Sequence, residues 1–311
     1  MIERIKVVIQ TVENANPVCA FESPLLTGYS GKRLIAVLQG LTSLFRENQQ
    51  LCYLEIGVFQ GLTLLSVAGA NPEVACFGID NFQTYDPEKQ NMRIFMERRQ
   101  KLGLDNAHLI NLDYEDAFEN LYAHTKGRKI GLLFIDGPHD YRSQLMGLML
   151  AMPYLSENAV IVVDDSNYLH VRQANTDFLM THPEYKLIFQ SYTPCHPVNM
   201  TAEQAERARQ DWWNGVNIIV RDKDNVLPSM YPPTRRNRIL FENDHFTHSS
   251  RIGELSPRAL TVLNLLFTGR WMRAVKNLYM AYKEYKQLCL KNRFDDANTF
   301  LEEVPQSLIK C

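Results

Sequence analysis

Tyr53-Leu54-Glu55-Ile56-Gly57-Val58-Phe59-Gln60-Gly61, followed by Phe77-Gly78-Ile79-Asp80, is the stretch that decides the fold. It reads as a short strand, a glycine turn, a helix from about Leu62 to Ala70, and a second strand ending in a carboxylate. Gly57 lacks a Cβ, so the backbone there can turn tightly and approach a ligand. Gly61 permits close packing where the helix starts, and the free N–H groups of that helix end suit an anionic group. Asp80 stands at the tip of the second strand, where an acid accepts hydrogen bonds from ribose hydroxyls. Together these features make one half of a nucleotide-binding α/β unit.

The glycine spacing narrows the choice of nucleotide. Dinucleotide folds use G-x-G-x-x-G, which lays a pyrophosphate on the helix start. Here Glu55 replaces the first glycine, giving E-x-G-x-x-x-G. A carboxylate in that place repels a pyrophosphate and suits a ligand with a positive charge and hydroxyls, such as S-adenosylmethionine. The pattern resembles motif I of class I S-adenosylmethionine-dependent methyltransferases. A glycine turn in any doubly wound domain is the plainer alternative.

A second constellation lies downstream, at Ile130-Gly131-Leu132-Leu133-Phe134-Ile135-Asp136-Gly137-Pro138-His139-Asp140-Tyr141 and Ala159-Val160-Ile161-Val162-Val163-Asp164-Asp165. Both are buried-strand runs that stop abruptly at acids, as expected where parallel strands deliver side chains to the ligand edge of a sheet. The interval between Asp136 and Asp164 accommodates one crossover helix, about Ser143 to Leu155, so the two tips can be neighbours in space. Clustered carboxylates repel one another unless a cation sits among them, and oxygen ligands favour Mg²⁺ or a similar hard divalent ion over zinc. Strand-end caps or solvated acids are the alternative for each aspartate taken singly.

This part of the chain resembles the metal-dependent O-methyltransferases of the catechol type, which carry an Asp after strand four, a base three residues on, and an Asp-Asn pair after strand five. By that resemblance Asp136 is the first metal ligand and also catalytic, His139 is the base, and Asp164 with Asp165 is the pair. The pair ends here in Asp rather than Asn, and the base is His rather than Lys. The Phe-Ile-Asp-Gly-x-His-x-Tyr and Val-Val-Asp-Asp forms are closer to the macrocin-type sugar O-methyltransferases of antibiotic pathways. The resemblance spans about Tyr53 to Val220. It implies that Glu55, Gly57, Gly61, Asp80, Asp113 and Tyr114 hold the cofactor, the last two beside the adenine. Asp113 and Tyr114 can equally begin the next helix, and His139 can simply bond its own loop.

Composition sets the outer bounds. The chain has 311 residues, enough for one large domain or one domain with appendages, and 45% hydrophobic with 22% charged residues describes an ordinary soluble globular protein. A formal net charge of −2 argues against broad electrostatic binding to nucleic acid or anionic lipid. No run approaches membrane-spanning length, and the N-terminus lacks the apolar core of a signal peptide. The six cysteines show no zinc spacing, and Cys52 and Cys76 fall in expected core strands, which suits a reducing cytoplasm.

The expected architecture is a doubly wound, Rossmann-like, mostly parallel seven-stranded sheet with an antiparallel edge hairpin and helical extensions at both ends. Residues 1–50 form a helical or lid segment, with a helix from Ser30 to about Arg46 after a loop carrying Tyr29. Residues 51–222 form the methyltransferase-like domain. Its edge strands, Lys186–Tyr192 and Gly215–Arg221, are separated by an insert near 193–214, longer than a hairpin loop needs. That insert holds Pro194-Cys195-His196-Pro197, a helix begun by Thr201 and Gln204, and Trp212-Trp213. The tryptophans are expected to pack a substrate lid onto its own domain, with an acceptor-lining role as the alternative. Residues 223–311 form an appendage: a polar loop with the basic run Arg235, Arg236 and Arg238, then helices from Ser256 to Gly269 and from Arg270 to Lys291. In the last helix Trp271, Val275, Leu278, Tyr282, Tyr285 and Cys289 make one stripe at helical spacing, expected to pack on the core. A homo-oligomer arm and a surface for a large acceptor are its other readings.

These features imply methyl transfer from S-adenosylmethionine to a hydroxyl of a small-molecule natural product, sugar or phenol, assisted by Mg²⁺ or a similar cation. The competing readings are a metal-independent N- or C-methyltransferase and a cofactor-binding scaffold without chemistry. A nicotinamide-dependent oxidoreductase is disfavoured by Glu55.

Overall fold

In the computed structural model, apolar runs of four to nine residues form five parallel strands: β1 (Leu51–Ile56), β2 (Ala75–Ile79), β3 (Ala107–Ile110), β4 (Lys129–Ile135) and β5 (Leu155–Val163). Two more, β6 (Tyr185–Ser191) and β7 (Val216–Arg221), pair antiparallel with each other, and β7 joins β5 antiparallel. The order across the sheet is β3-β2-β1-β4-β5-β7-β6. This is the mostly parallel, seven-stranded, doubly wound sheet with an antiparallel edge that the sequence implies. Residues 15, 84, 85, 87, 237–254, 291–302 and 311, and the side chains of 288–290, lie outside what the structure describes. Arg238, the end of the polar loop, Lys291, Cys311 and the Cys289 side chain fall there.

The helices are α1 (Ile2–Asn14), α2 (Lys32–Ser43), α3 (Leu62–Ala70), α4 (Asn91–Leu102), α5 (Tyr114–Glu119), α6 (Leu121–His124), α7 (Tyr141–Ala151), α8 (Leu169–Thr181) and α9 (Ala202–Gln210). The sheet is covered on both faces, which is why its central strands read as continuous apolar runs. Side chains alternate across a strand: Leu132 and Phe134 of β4 face one core with Leu34, Leu38 and Leu64, while Leu133 and Ile135 face another with Leu148 and Phe178. Helix α7 ends at Ala151, earlier than expected, and β5 begins at Leu155 after a short 3-10 turn containing Pro153.

The end of the chain returns to the sheet, a feature with no local sequence signal. Tyr192, just past β6, bridges Ile309 in parallel, and Lys310 donates its N–H to the Tyr192 carbonyl at 2.8 Å. Arg172 of α8 holds this arrangement from inside. Its guanidinium is fully buried and donates to the carbonyls of Ser166, Asn167 and Pro233 and to the Glu303 carboxylate. The two helices of the appendage, Ser256–Phe267 and Trp271–Leu290, pack against each other. The stripe expected to lie on the core is instead exposed at Trp271, Val275, Leu278, Tyr282 and Tyr285. Helical spacing identifies such a stripe without saying what covers it.

Replacing Arg172 with Met strands three carbonyls and a carboxylate at once. Removing one partner of such a buried set costs about 3–5 kcal/mol, so urea unfolding of Arg172→Met should show a markedly lower midpoint. An unchanged midpoint would contradict the role assigned to this guanidinium.

Candidate functional site

The parallel ladder continues one residue beyond each strand, and that continuation builds the site. Asp80 donates its N–H to Ile110, Gly57 to Ile79, Asp136 to Ile56 and Asp164 to Ile135, at 2.9 to 3.2 Å. Four adjacent strands therefore deliver Asp80, Gly57, Asp136 and Asp164 to one rim, at their carboxyl ends. The spatial convergence that the sequence pattern implied for these residues is present.

The glycine turn is held tightly from below. Gly57 has φ +91°, and a Cβ there would lie 1.9 Å from the Asp136 carbonyl oxygen, so the turn touches the loop after β4. Gly61 has φ +82°, and a Cβ there would strike the Phe95 ring. Asp80 locks the turn: one carboxylate oxygen accepts the N–H groups of Val58 and Phe59, and the other accepts that of Phe82. Two oxygens offer about four lone-pair sites, so Asp80 retains capacity for a ligand hydroxyl. Glu55 sits differently from its sequence reading. It is wholly buried beneath the turn, where Tyr53 donates to one oxygen at 2.5 Å and Thr63 to the other at 2.9 Å. Burial, opposed by those two hydrogen bonds, pushes its pKa up to about 8.

Asp113 caps α5 by accepting the Glu115 N–H, and its other oxygen accepts from Asn81. Tyr114 is buried in the core beneath α5, so its ring seats the loop that presents Asp113.

Three side chains beyond β4 and β5 come together. Ligand atoms of Asp136, His139 and Asp165 all lie within 4.8 Å of one another, and they are the group of this kind among the described residues. His139 Nε2 lies 2.9 Å from Asp165 and 3.5 Å from Asp136. Asp164, expected as a metal ligand, is not in that group. It is 1% exposed, and its Oδ1 has no hydrogen-bond partner. Burial and the charges of Asp136 and Asp165 hold its carboxyl well above the usual range.

Charge distribution within the cluster is uneven. Burial favours the neutral form of Asp165, but the adjoining His139 ring outweighs it and holds the carboxyl down at about 2. Burial alone would lower the His139 pKa, yet the carboxylates of Asp165 and Asp136 raise it on balance. Asp136 is pushed up to about 7, chiefly by burial, with His139 opposing. The arrangement is one imidazole ring among surplus carboxyl groups, with a buried oxygen left over. Such a donor set, oxygen-rich with one imidazole nitrogen, fits a hard divalent cation.

The insert and the N-terminal loop close over this rim. Asn214 donates to Asp165 at 2.8 Å, and Asn167 links Asn214 to Thr193, fixing the loop after β5 to both edge strands. Tyr168 packs between the rings of His139 and His196, with centroids 6.0 and 6.3 Å away. Tyr29 meets Phe59 of the glycine turn and Trp213 of the insert. Trp212 is fully buried and donates to Glu13 of α1 at 2.6 Å, so it ties the insert to the N-terminal segment. Sequence reasoning assigned no role to Tyr168, Asn167 or Asn214. His196 stood within a Pro-Cys-His-Pro run, the one signal that marked it.

Residues 54–166 match a family model described as a methyltransferase domain. No curated protein matches the chain. Several solved structures are distantly similar. Cofactor-bound Rv0187 from MTB is 16% identical with a TM-score of 0.46, over 70% of this chain and 88% of that one. An O-methyltransferase from Bacillus cereus in complex with SAH is 13% identical with a TM-score of 0.44, over 71% and 91%. The O-methyltransferase TomG from Streptomyces achromogenes, in complex with SAM, is 16% identical with a TM-score of 0.42, over 71% and 90%. These likenesses are too remote to carry an activity to this chain.

Glu55 yields a pH signature. An acid with a raised native pKa binds its proton more tightly folded than unfolded, so its stabilising contribution is complete below about 4.5 and is lost as pH rises towards about 8. The expected loss is up to about 4–5 kcal/mol, and Glu55→Gln should abolish that share of it. Urea midpoints at pH 5 and pH 8 measure the difference. Equal pH slopes in the two proteins would show that Glu55 is already ionised in the fold.

Proposed function

We propose that this chain, whose residues 54–166 match a methyltransferase-domain model, transfers a methyl group from S-adenosylmethionine to a hydroxyl of a small molecule, a sugar or a phenol, with a hard divalent cation at the acidic cluster. The observation that carries this reading is the backbone contact between the Gly57 turn and the loop bearing Asp136. It supports the reading because a ligand seated on the turn would lie next to an acceptor seated at the cluster, as in-line transfer requires.

Under this reading Gly57, Gly61 and Asp80 shape the cofactor side, with Asp80 taking the ribose hydroxyls and Asp113 the adenine edge. Glu55 supports the turn from beneath instead of meeting the ligand. Asp136 and Asp165 would hold the cation, with the buried carboxyl of Asp164 behind them and the His139 ring beside them as the base. When bound, S-adenosylmethionine supplies an electrophilic methyl group, and the cation lowers the pKa of the acceptor hydroxyl. His139, when neutral, accepts the acceptor's proton, and the carboxylates of Asp165 and Asp136 stabilise the imidazolium that results. Tyr29, Phe59 and Trp213 would offer aromatic faces beside a ligand on the turn.

Turnover can be followed as release of S-adenosylhomocysteine, with a catechol and a vicinal-diol sugar as acceptors and Mg²⁺ present. Asp136→Asn and Asp165→Asn should each lower kcat by about 10²-fold or more, with calorimetric affinity for S-adenosylhomocysteine nearly unchanged. Full wild-type turnover in a chelator would overturn the cation and favour a metal-independent N- or C-methyltransferase. Failure to bind S-adenosylhomocysteine at all would overturn the whole reading.

A further inference from the structure

The two appendage helices present an outward surface that the methyl-transfer site does not use. Phe267 is 88% exposed and Met272 90%, and Leu260, Trp271, Val275 and Tyr282 are exposed over more than half their area. These are not scattered residues. Leu260, Leu263 and Phe267 recur at helical spacing on the first helix, as do Trp271, Val275, Leu278 and Tyr282 on the second. Ala274, a quarter-turn away, is buried, and Lys276 and Lys283 flank the apolar stripe on its other side. The second helix is thus amphipathic, with a covered face, an apolar exposed face and a basic flank.

Charge decides what this face suits. Between Ser256 and Leu290 the chain carries six cationic side chains (Arg258, Arg270, Arg273, Lys276, Lys283 and Lys286) against the single carboxylate of Glu284, although the whole chain has a net charge of −2. Glu284 is already paired with Arg258 at 2.5 Å. Two copies docked through this face would bring like charges together, which opposes association. An anionic lipid surface satisfies both halves of the pattern: apolar and aromatic side chains enter the boundary of the acyl region while the lysines and arginines meet headgroups. No helix among the described residues is long and apolar enough to cross a membrane, so the geometry is that of helices lying in the interface.

We propose that the hairpin formed by Ser256–Phe267 and Trp271–Leu290 docks the protein on an anionic bilayer surface. The full chain, mixed with vesicles of phosphatidylcholine alone or with added phosphatidylglycerol, should co-sediment with the mixed vesicles and far less with the neutral ones. Lys276→Gln combined with Lys283→Gln should weaken binding about thirty-fold. Phe267→Ser combined with Met272→Ser should abolish it, and because both positions are exposed the urea midpoint should not move. Equal binding to neutral vesicles, no binding to either kind, or indifference to both pairs of substitutions would overturn the proposal. So would light scattering that shows a dimer in solution, dissociated by Phe267→Ser with Met272→Ser, since the face would then belong to a second copy.

Discussion

The row of backbone hydrogen bonds that runs one residue past the ends of β2, β1, β4 and β5 is the constraint on which the rest depends. Parallel pairing fixes each strand against its neighbours, and burial of both faces fixes the register, since a slip of one residue would turn every apolar side chain to the wrong layer. The acids at the strand tips have no freedom to separate. They converge because Ile56, Ile79, Ile110 and Ile135 are paired below them. The apolar core thereby holds together carboxyl groups that electrostatics alone would drive apart.

The cost of that convergence is visible at the rim. Phe59, His139, Asp165 and Trp213 all adopt positive φ, a conformation that side chains with a Cβ seldom take. All four lie in the loops that surround the glycine turn and the acidic cluster. Asp164 adds a buried oxygen without a donor. Asp165 and His139 offset part of the repulsion by pairing, and Asn214 supplies a further hydrogen bond. Positive φ and closely set carboxyl groups thus occur together where the sheet opens.

Much of this was legible in the chain because the relevant signals are local. Short apolar runs ending in acids mark parallel strands whose tips share one rim. Thr201 and Gln204 announced α9, and both halves of their capping box are present. What escaped depends on contacts between distant segments. Nothing near Tyr192 foretells its pairing with Ile309, and nothing near Trp212 points to Glu13. Glu55 reads as a ligand-facing acid, although it lies two residues from Tyr53 and so shares a buried face with it. Asp164 and Asp165 are neighbours in sequence but diverge in space, because successive side chains leave a strand end in opposite directions. The exposed stripe of the last helix shows the same limit: periodicity reveals a face, and only the fold reveals whether anything covers it. A net charge near neutrality likewise conceals a basic hairpin attached to an acidic remainder.

The central claim is that one rim holds both a nucleoside-bearing ligand and a hard cation in contact distance of each other. Anomalous diffraction from a crystal grown with S-adenosylhomocysteine and soaked in Mn²⁺ tests it directly. The account predicts a manganese peak among Asp136, His139 and Asp165, with S-adenosylhomocysteine on the Gly57 turn and its ribose at Asp80. A peak elsewhere, no peak at all, or a ligand seated away from that turn would contradict it.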